Sequence, residues 1–282
     1  MKVDGEVAII TGASGGIGAV VSRDLAAQGA RVAMIARTLP TLERVRKGLG
    51  DLAERCRTFP CDVGDWDAVQ RTVKQIASEM GDPLILVNNA GFAAAIPFAQ
   101  MEAAEMERML RTNLLGLLHC TRAVLGGMRA ARRGVIANVG SIAGLFAIPH
   151  MSVYAATKWA VNGLSESLNG ELAREGIHVG VVCPAIVDTP LAMREEARSG
   201  RAVPRVFRMK PETVSKAIIE VITRERDMIV LPRALGPLAA VRAPAAPFFR
   251  WATRKVAPLF RPNPGAGPRR SRGRSAKGRK NP

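Results

Sequence analysis

Tyr154 is the only tyrosine in the 282-residue chain, and it stands four positions before Lys158 in the stretch SVYAATK. On a helix that spacing puts both side chains on one face, where an ammonium favours the phenolate form of a phenol. A free tyrosine ionises near about pH 10, so a neighbouring cation would make this hydroxyl a proton donor or acceptor near neutrality. Such a pair is common in ordinary amphipathic helices, and its meaning depends on its company. Ser141 ends an apolar run thirteen residues upstream, where its hydroxyl could hydrogen-bond a reacting oxygen. Asn113 sits in LRTNLLG, an apolar helical stretch in which an asparagine is mildly unfavourable unless its amide is engaged.

A second group of residues suits a phosphate. TGASGGIG (11–18) follows an apolar run and opens a helical stretch. There Gly12 permits a tight turn, Gly16 lets backbone approach a pyrophosphate, and Gly18 allows close helix packing, with Ser14 and Ile17 completing the loop. After the second apolar run, an acidic side chain would hold a ribose 2′-hydroxyl and repel a 2′-phosphate. The chain reads MIARTL there, with Arg37 in that place, and a guanidinium suits the phosphate. The expected cofactor is NADP(H).

These residues need a scaffold of alternating elements. Short Val- and Ile-rich runs at 6–10, 31–36, 84–89, 134–141, 178–183 and 228–231 read as strands buried on both faces, with one more near 58–63. Between them lie segments of helical length at 16–29, 38–50, 65–80, 102–131, 154–175 and 211–225. Repeated strand–helix alternation implies an α/β fold: a doubly wound parallel sheet with its ligand at the carboxyl ends of the strands. The charged stretch 190–210 follows a strand end and is placed to cover a site.

Charge is distributed unevenly. The formal net charge is +17, yet no acidic residue follows Asp227, and thirteen Arg and Lys lie beyond it, leaving 28 basic against 24 acidic residues in 1–227. The basicity belongs to the tail. The cysteines Cys56, Cys61, Cys120 and Cys183 show no metal-binding spacing and read as small buried hydrophobes in a reducing, cytoplasmic setting; no metal is expected. The N-terminal apolar run is too short for a signal peptide, and no apolar run reaches a membrane span.

Taken in order, TGASGGIG, CDV (61–63), NNAG (88–91), Asn113, Ser141, YAATK and CPAIVDTP (183–190) resemble the classical short-chain dehydrogenase/reductase family over about residues 5–232. The resemblance implies a Rossmann fold in a single domain, 1–232, with a C-terminal extension at 233–261. It makes Tyr154 the general acid in reduction and the base in oxidation. Lys158 would lower its pKa and hold the nicotinamide ribose, Ser141 would polarise the carbonyl, and Asn113 would fix a water linking Lys158 to solvent. Asp62 and Val63 would border the adenine; Asn89, Ala90 and Gly91 would line the cofactor; and Pro184, Val187 and Thr189 would complete the nicotinamide side. The family's Pro-Gly is here Pro184-Ala185, a departure that puts the turn beside Val187 and Thr189 in question.

The resemblance also points to a homodimer or homotetramer through helices 102–131 and 154–175. The substrate pocket is expected from Phe92, Phe146, Met151 and Ser141 together with the 190–210 cover. The segment 143–151 is apolar apart from His150, so a lipophilic ketone, aldehyde or alcohol is the expected substrate. A noncatalytic NADP-binding scaffold at a membrane is the rival reading. From Leu231 onward, prolines interrupt apolar residues that include Phe248, Phe249, Trp251 and Phe260, interleaved with Arg250, Arg254 and Lys255. That composition suits either a segment on an anionic bilayer, making the protein peripheral to the membrane's inner face, or a lid over the pocket. The last stretch, 262–282, is expected to be disordered, and nucleic-acid binding through it is not expected because no reading module accompanies it.

Overall fold

Each of the seven short Val- and Ile-rich runs becomes a strand. In the computed structural model, which describes residues 1–190, 192–193, 196, 208–241 and 245–256, these are β1 (Val7–Thr11), β2 (Arg31–Ala36), β3 (Cys56–Pro60), β4 (Pro83–Asn88), β5 (Gly134–Val139), β6 (Ile177–Pro184) and β7 (Met228–Leu231). They form one sheet in the order β3-β2-β1-β4-β5-β6-β7, parallel throughout. All residues of β1, β4 and β5 are buried, as strands covered on both faces require.

Alternation along β1 sends Ala8 and Ile10 to one face and Val7 and Ile9 to the other. On the first face pack α1 (Gly16–Ala27), α2 (Leu39–Lys47) and α7 (Pro211–Arg224) through Val21, Leu25, Leu42, Val214, Ile218 and Ile222. On the second pack α3 (Trp66–Met80), α5 (Gly116–Ala131) and the end of α6 (Ser152–Leu172), through residues such as Ile76, Val124 and Leu172. Each large aliphatic side chain buried this way contributes roughly 1.5–3 kcal/mol. The chain order reverses at β1, whose two neighbours are β2 and β4, so a crevice opens beyond the carboxyl ends of β1 and β4.

Three boundaries differ from the sequence-based expectation. β3 starts earlier than expected and ends at Pro60, which leaves Asp62 and Val63 in the following loop. β5 stops at Val139, so Ser141 lies in a turn past the strand. The segment expected as one helix over 102–131 is α4 (Ala103–Leu110), a π turn (Arg111–Leu115) and α5. The described residues of the extension include a 3-10 turn (Arg233–Leu235) and the helices α8 (Gly236–Ala240) and α9 (Ala246–Val256). Most of 190–210, Phe260 and the tail 262–282 lie outside the described residues. All four cysteines are free and buried. Among the described residues no helix is long and apolar enough to cross a membrane, and no group of side chains could hold a metal.

Candidate active site

The glycine loop is built as its composition implies. Gly12 and Gly16 have φ of 68° and 55°, a region that a side chain disfavours. Ala13 donates to the Ile35 carbonyl at 3.1 Å, laying the loop against the end of β2, where Arg37 stands exposed. The N-terminus of α1 follows Gly15, with no side-chain cap and no acid in its first turn, so its free N–H groups suit an anion. Ser14 is exposed on this loop and Ile17 half-buried against the core.

Thr11, inside the glycine-loop motif but given no role in the sequence reading, joins this loop to the end of β4. Its Oγ1 accepts from the backbone N–H of Asn89 (2.9 Å) and of Ala90 (3.0 Å). The Asn89 amide in turn donates to the Thr11 carbonyl at 2.9 Å. At the end of β3, the exposed Asp62 accepts from the Gly64 N–H at 2.9 Å, while Val63 is buried against Gly116. The glycine loop and the loop after β4 are thus tied to one another.

The four candidate catalytic residues come from three elements. Ser141 caps the turn Ile142–Gly144, its Oγ accepting from the Ala143 N–H at 3.1 Å, and its hydroxyl favours the ionised form of Tyr154. Lys158, 6% exposed, donates from Nζ to the Val139 carbonyl at 2.7 Å and lies 5.8 Å from the centre of the Tyr154 ring. Asn113 is buried in the π turn. Its Oδ1 accepts from the Phe92 N–H at 2.9 Å, and its Nδ2 donates to the Phe92 carbonyl at 2.8 Å and to Thr157 Oγ1 at 3.3 Å. A side chain on Gly91 would begin 3.1 Å from Asn113 Oδ1 and 3.9 Å from Lys158 Nζ, which shows how closely the loop after β4 approaches both.

The Asn113 amide is engaged with the Phe92 backbone and so fixes the loop after β4. The Tyr154 phenol, expected below its ordinary value beside Lys158, stands above it. Burial pushes the Tyr154 phenol above its ordinary value, opposed by the Ser141 hydrogen bond. The Lys158 charge acts on the Val139 carbonyl, and burial draws Lys158 from 10.5 down to about 8.

With this arrangement in view, residues 6–200 match the family described as short chain dehydrogenase. The chain belongs to the short-chain dehydrogenases. It is 30% identical over 269 residues to "Dehydrogenase/reductase SDR family protein 7-like" of Anopheles gambiae, covering 90% of this chain and 84% of the relative. Among solved structures, a metagenomic short-chain oxidoreductase in complex with NADP matches with TM-score 0.70 and 28% identity, over 82% of this chain and 98% of that one. A 3-ketoacyl-(acyl-carrier-protein) reductase from Brucella melitensis, complexed with NADH, matches with TM-score 0.73 and 27% identity, over 82% and 99%.

In this short-chain dehydrogenase the alanine after Pro184 is accommodated without strain. Ala185 is not among the residues at positive φ, and its N–H donates to the Leu231 carbonyl at 2.8 Å. The following segment is held firmly: Val187 bridges Met209, Asp188 donates its N–H to the Met209 carbonyl at 2.8 Å, and Arg208 pairs with Asp188 and Glu196 at 3.2 and 2.5 Å. Thr189 reaches to within 3.1 Å of where a Gly16 side chain would start, joining this segment to the glycine loop.

Of the residues expected to meet substrate, Phe92 packs in one cluster with Tyr154 and carries the Arg108 guanidinium 4.1 Å from its ring centre. Phe146 meets Phe249 of α9, with ring centres 5.6 Å apart. Met151 is half-buried just before α6, and its carbonyl accepts the Ala155 N–H at 2.7 Å. His150 takes a left-handed φ of 64°, a conformational role at the turn into α6.

Sequence reasoning missed Asn162. Its Nδ2 donates to the Gly144 carbonyl at 2.9 Å and its Oδ1 accepts from the Cys183 thiol at 3.4 Å, holding the Ser141 turn against α6 and β6. It lies one helical turn after Lys158, a spacing that could have flagged it. Asn138, which donates to Ser165 (2.9 Å) and accepts from Asn88 (2.9 Å), was likewise read only as strand.

Proposed function

We propose that the protein is an NADP(H)-dependent oxidoreductase that interconverts a lipophilic ketone or aldehyde with its alcohol, Tyr154 serving as acid and base. The observation that carries the reading is the meeting of Ser141, Tyr154 and Lys158 at the carboxyl end of β5, beside a glycine loop whose geometry suits a dinucleotide. The residues fit that group: positive φ at Gly12 and Gly16, an uncapped helix start, an exposed Asp62 beyond β3, and Arg37 with no acid at the end of β2. Arg37 is the ground for preferring the phosphorylated dinucleotide.

The bound dinucleotide supplies or accepts the hydride at the carbonyl carbon. The protein's own residues handle the oxygen. In reduction the Ser141 hydroxyl hydrogen-bonds the carbonyl oxygen, and the Tyr154 phenol transfers its proton to that oxygen as negative charge develops there. Burial keeps the phenol protonated, the form that the acid role in reduction requires. Lys158, still mostly protonated at pH 7, stabilises the phenolate left behind until solvent returns a proton. In oxidation the same phenolate is the base, so that direction requires higher pH.

Support for a lipophilic substrate comes from the apolar neighbours of the site, Phe92 in the cluster around Tyr154 and Phe146 in the turn after Ser141. A self-associating form is supported by an apolar groove of about 410 Å³ on the outer side of α5 and α6, lined by Trp66, Leu115, Leu118, Leu125, Leu164 and Leu168. A reducing, cytoplasmic location accords with four free cysteines. The test is a screen of lipophilic ketones, aldehydes and alcohols with both dinucleotides, followed by NADPH absorbance. Turnover of lipophilic carbonyls with NADPH supports the reading; tight dinucleotide binding with no turnover of any carbonyl or alcohol would make the protein a scaffold.

A further inference from the structure

Helix α9 has two different faces. Phe249, Ala252 and Thr253 are half-buried, and Phe249 packs on Phe146 in the turn that follows Ser141. On the other side Phe248 and Trp251 are 59% and 55% exposed, with ring centres 6.0 Å apart. Three residues apart on a helix of 3.6 residues per turn, they form a short apolar ridge. Arg250, Arg254 and Lys255 are exposed on the same helix.

We infer that this outer face of α9 docks on an anionic lipid surface, with Phe248 and Trp251 in the acyl boundary and the three cations at the headgroups. Two exposed aromatic rings side by side on one turn are not expected of a surface that meets only water. Lipid accommodates them, and the flanking cations match anionic headgroups. A second copy meeting this face through its own α9 fits poorly, since it would bring Arg250, Arg254 and Lys255 against the same three cations. No acidic residue follows Asp227 to oppose the attraction.

The geometry gives the docking a consequence for the site. Phe249 and Phe248 touch, with ring centres 5.6 Å apart, and Phe249 touches Phe146. One short chain of aromatic contacts therefore leads from the outer ridge to the turn carrying Ser141. A membrane-dissolved substrate would reach the site beside α9. This second step rests on the lipophilic-substrate reading above; the docking does not.

The experiment is sedimentation of the full chain with phosphatidylcholine vesicles, with and without phosphatidylserine, at low and high salt. The wild type is expected to pellet with the phosphatidylserine vesicles and to leave a salt-resistant fraction. Phe248→Ser with Trp251→Ser should lower the salt-resistant partitioning at least tenfold, since each ring contributes roughly tenfold or more when buried. Arg250→Gln, Arg254→Gln and Lys255→Gln should lower the low-salt binding by about fivefold per residue.

Failure of the full chain to pellet overturns the proposal. So does unchanged pelleting of the double serine variant, which would assign binding to the basic residues beyond α9. A change of oligomeric state in that variant, without a change in vesicle binding, would make the ridge a protein interface. Retention of nucleic acid that depends on the two rings, with vesicles ignored, would also overturn it. Because binding is read without turnover, an inactive protein that still docks contradicts the enzymatic reading alone. For the delivery step, the serine variant should raise KM for a vesicle-dissolved carbonyl about tenfold and leave that for a water-soluble one unchanged; equal effects on both would remove it.

Discussion

Lys158→Met should remove a pH-dependent cost that the fold bears for its buried ammonium. Lys158 is 6% exposed, and burial lowers its pKa from 10.5 to about 8. Each pKa unit corresponds to about 1.4 kcal/mol, so the charged form is disfavoured in the folded state by roughly 3 kcal/mol relative to the unfolded chain. Between pH 8 and 10.5 the unfolded lysine holds more protons than the folded one, so stability rises with pH through that window. Below pH 8 the full cost is present; above 10.5 it is gone. Between pH 7 and pH 10 the wild type should gain roughly 2–3 kcal/mol relative to the methionine variant. Taking the difference between the two proteins cancels the titrating groups that do not interact with Lys158; Cys183, whose thiol Lys158 draws down, is removed from the comparison by making it serine in both proteins. The assay is urea unfolding of both proteins at several pH values without dinucleotide. A difference that stays flat across that range would show that Lys158 is not desolvated as the structure has it.

Other perturbations test the cofactor crevice. Gly18→Ala would drive a methyl into the Gly12 carbonyl and to 2.7 Å from the Asn89 amide, where backbone cannot easily yield. It should cost about 1–3 kcal/mol in urea unfolding and abolish measurable dinucleotide binding. Arg37→Asp should weaken NADPH by more than about tenfold in a fluorescence titration while sparing NADH, because it replaces a charge-assisted hydrogen bond with repulsion. A wild type that prefers NADH would make Arg37 an ordinary surface residue.

Much of the scaffold is legible because parallel strands buried on both faces leave a plain signal. Runs such as RVAMIA have few interpretations, and β2 occupies Arg31–Ala36 as expected. The π turn at Arg111–Leu115 is not legible, since one extra residue per turn leaves the apolar pattern of a long helix nearly intact. Asn113 was nevertheless noticeable as an amide among leucines, and it proves to be held by the Phe92 backbone. Thr11 and Asn138 escaped because a polar residue inside a strand gives no sign of whether it faces solvent or a partner distant in sequence; Asn162 shares a helix face with Lys158, but spacing alone does not show its partners Gly144 and Cys183. The direction of the Tyr154 shift was misjudged for a related reason: spacing places Lys158 nearby, but only the packed structure shows that the phenol is buried and that Nζ is turned to Val139. Prolines in the extension obscured α8 and α9, yet Pro237 and Pro247 each stand second in their helix, in the first turn, where a missing N–H breaks no helical hydrogen bond.

The central claim is that the Tyr154 hydroxyl delivers the proton, and Tyr154→Phe removes that atom and little else. The measurement is carbonyl reduction by wild type and variant, followed by NADPH absorbance, with NADPH affinity measured on both. General acid catalysis typically contributes about 10² to 10⁴-fold, and loss of the only placed donor should reach the upper end, with NADPH affinity nearly unchanged. A variant that binds NADPH and reduces the carbonyl at the wild-type kcat would contradict the account.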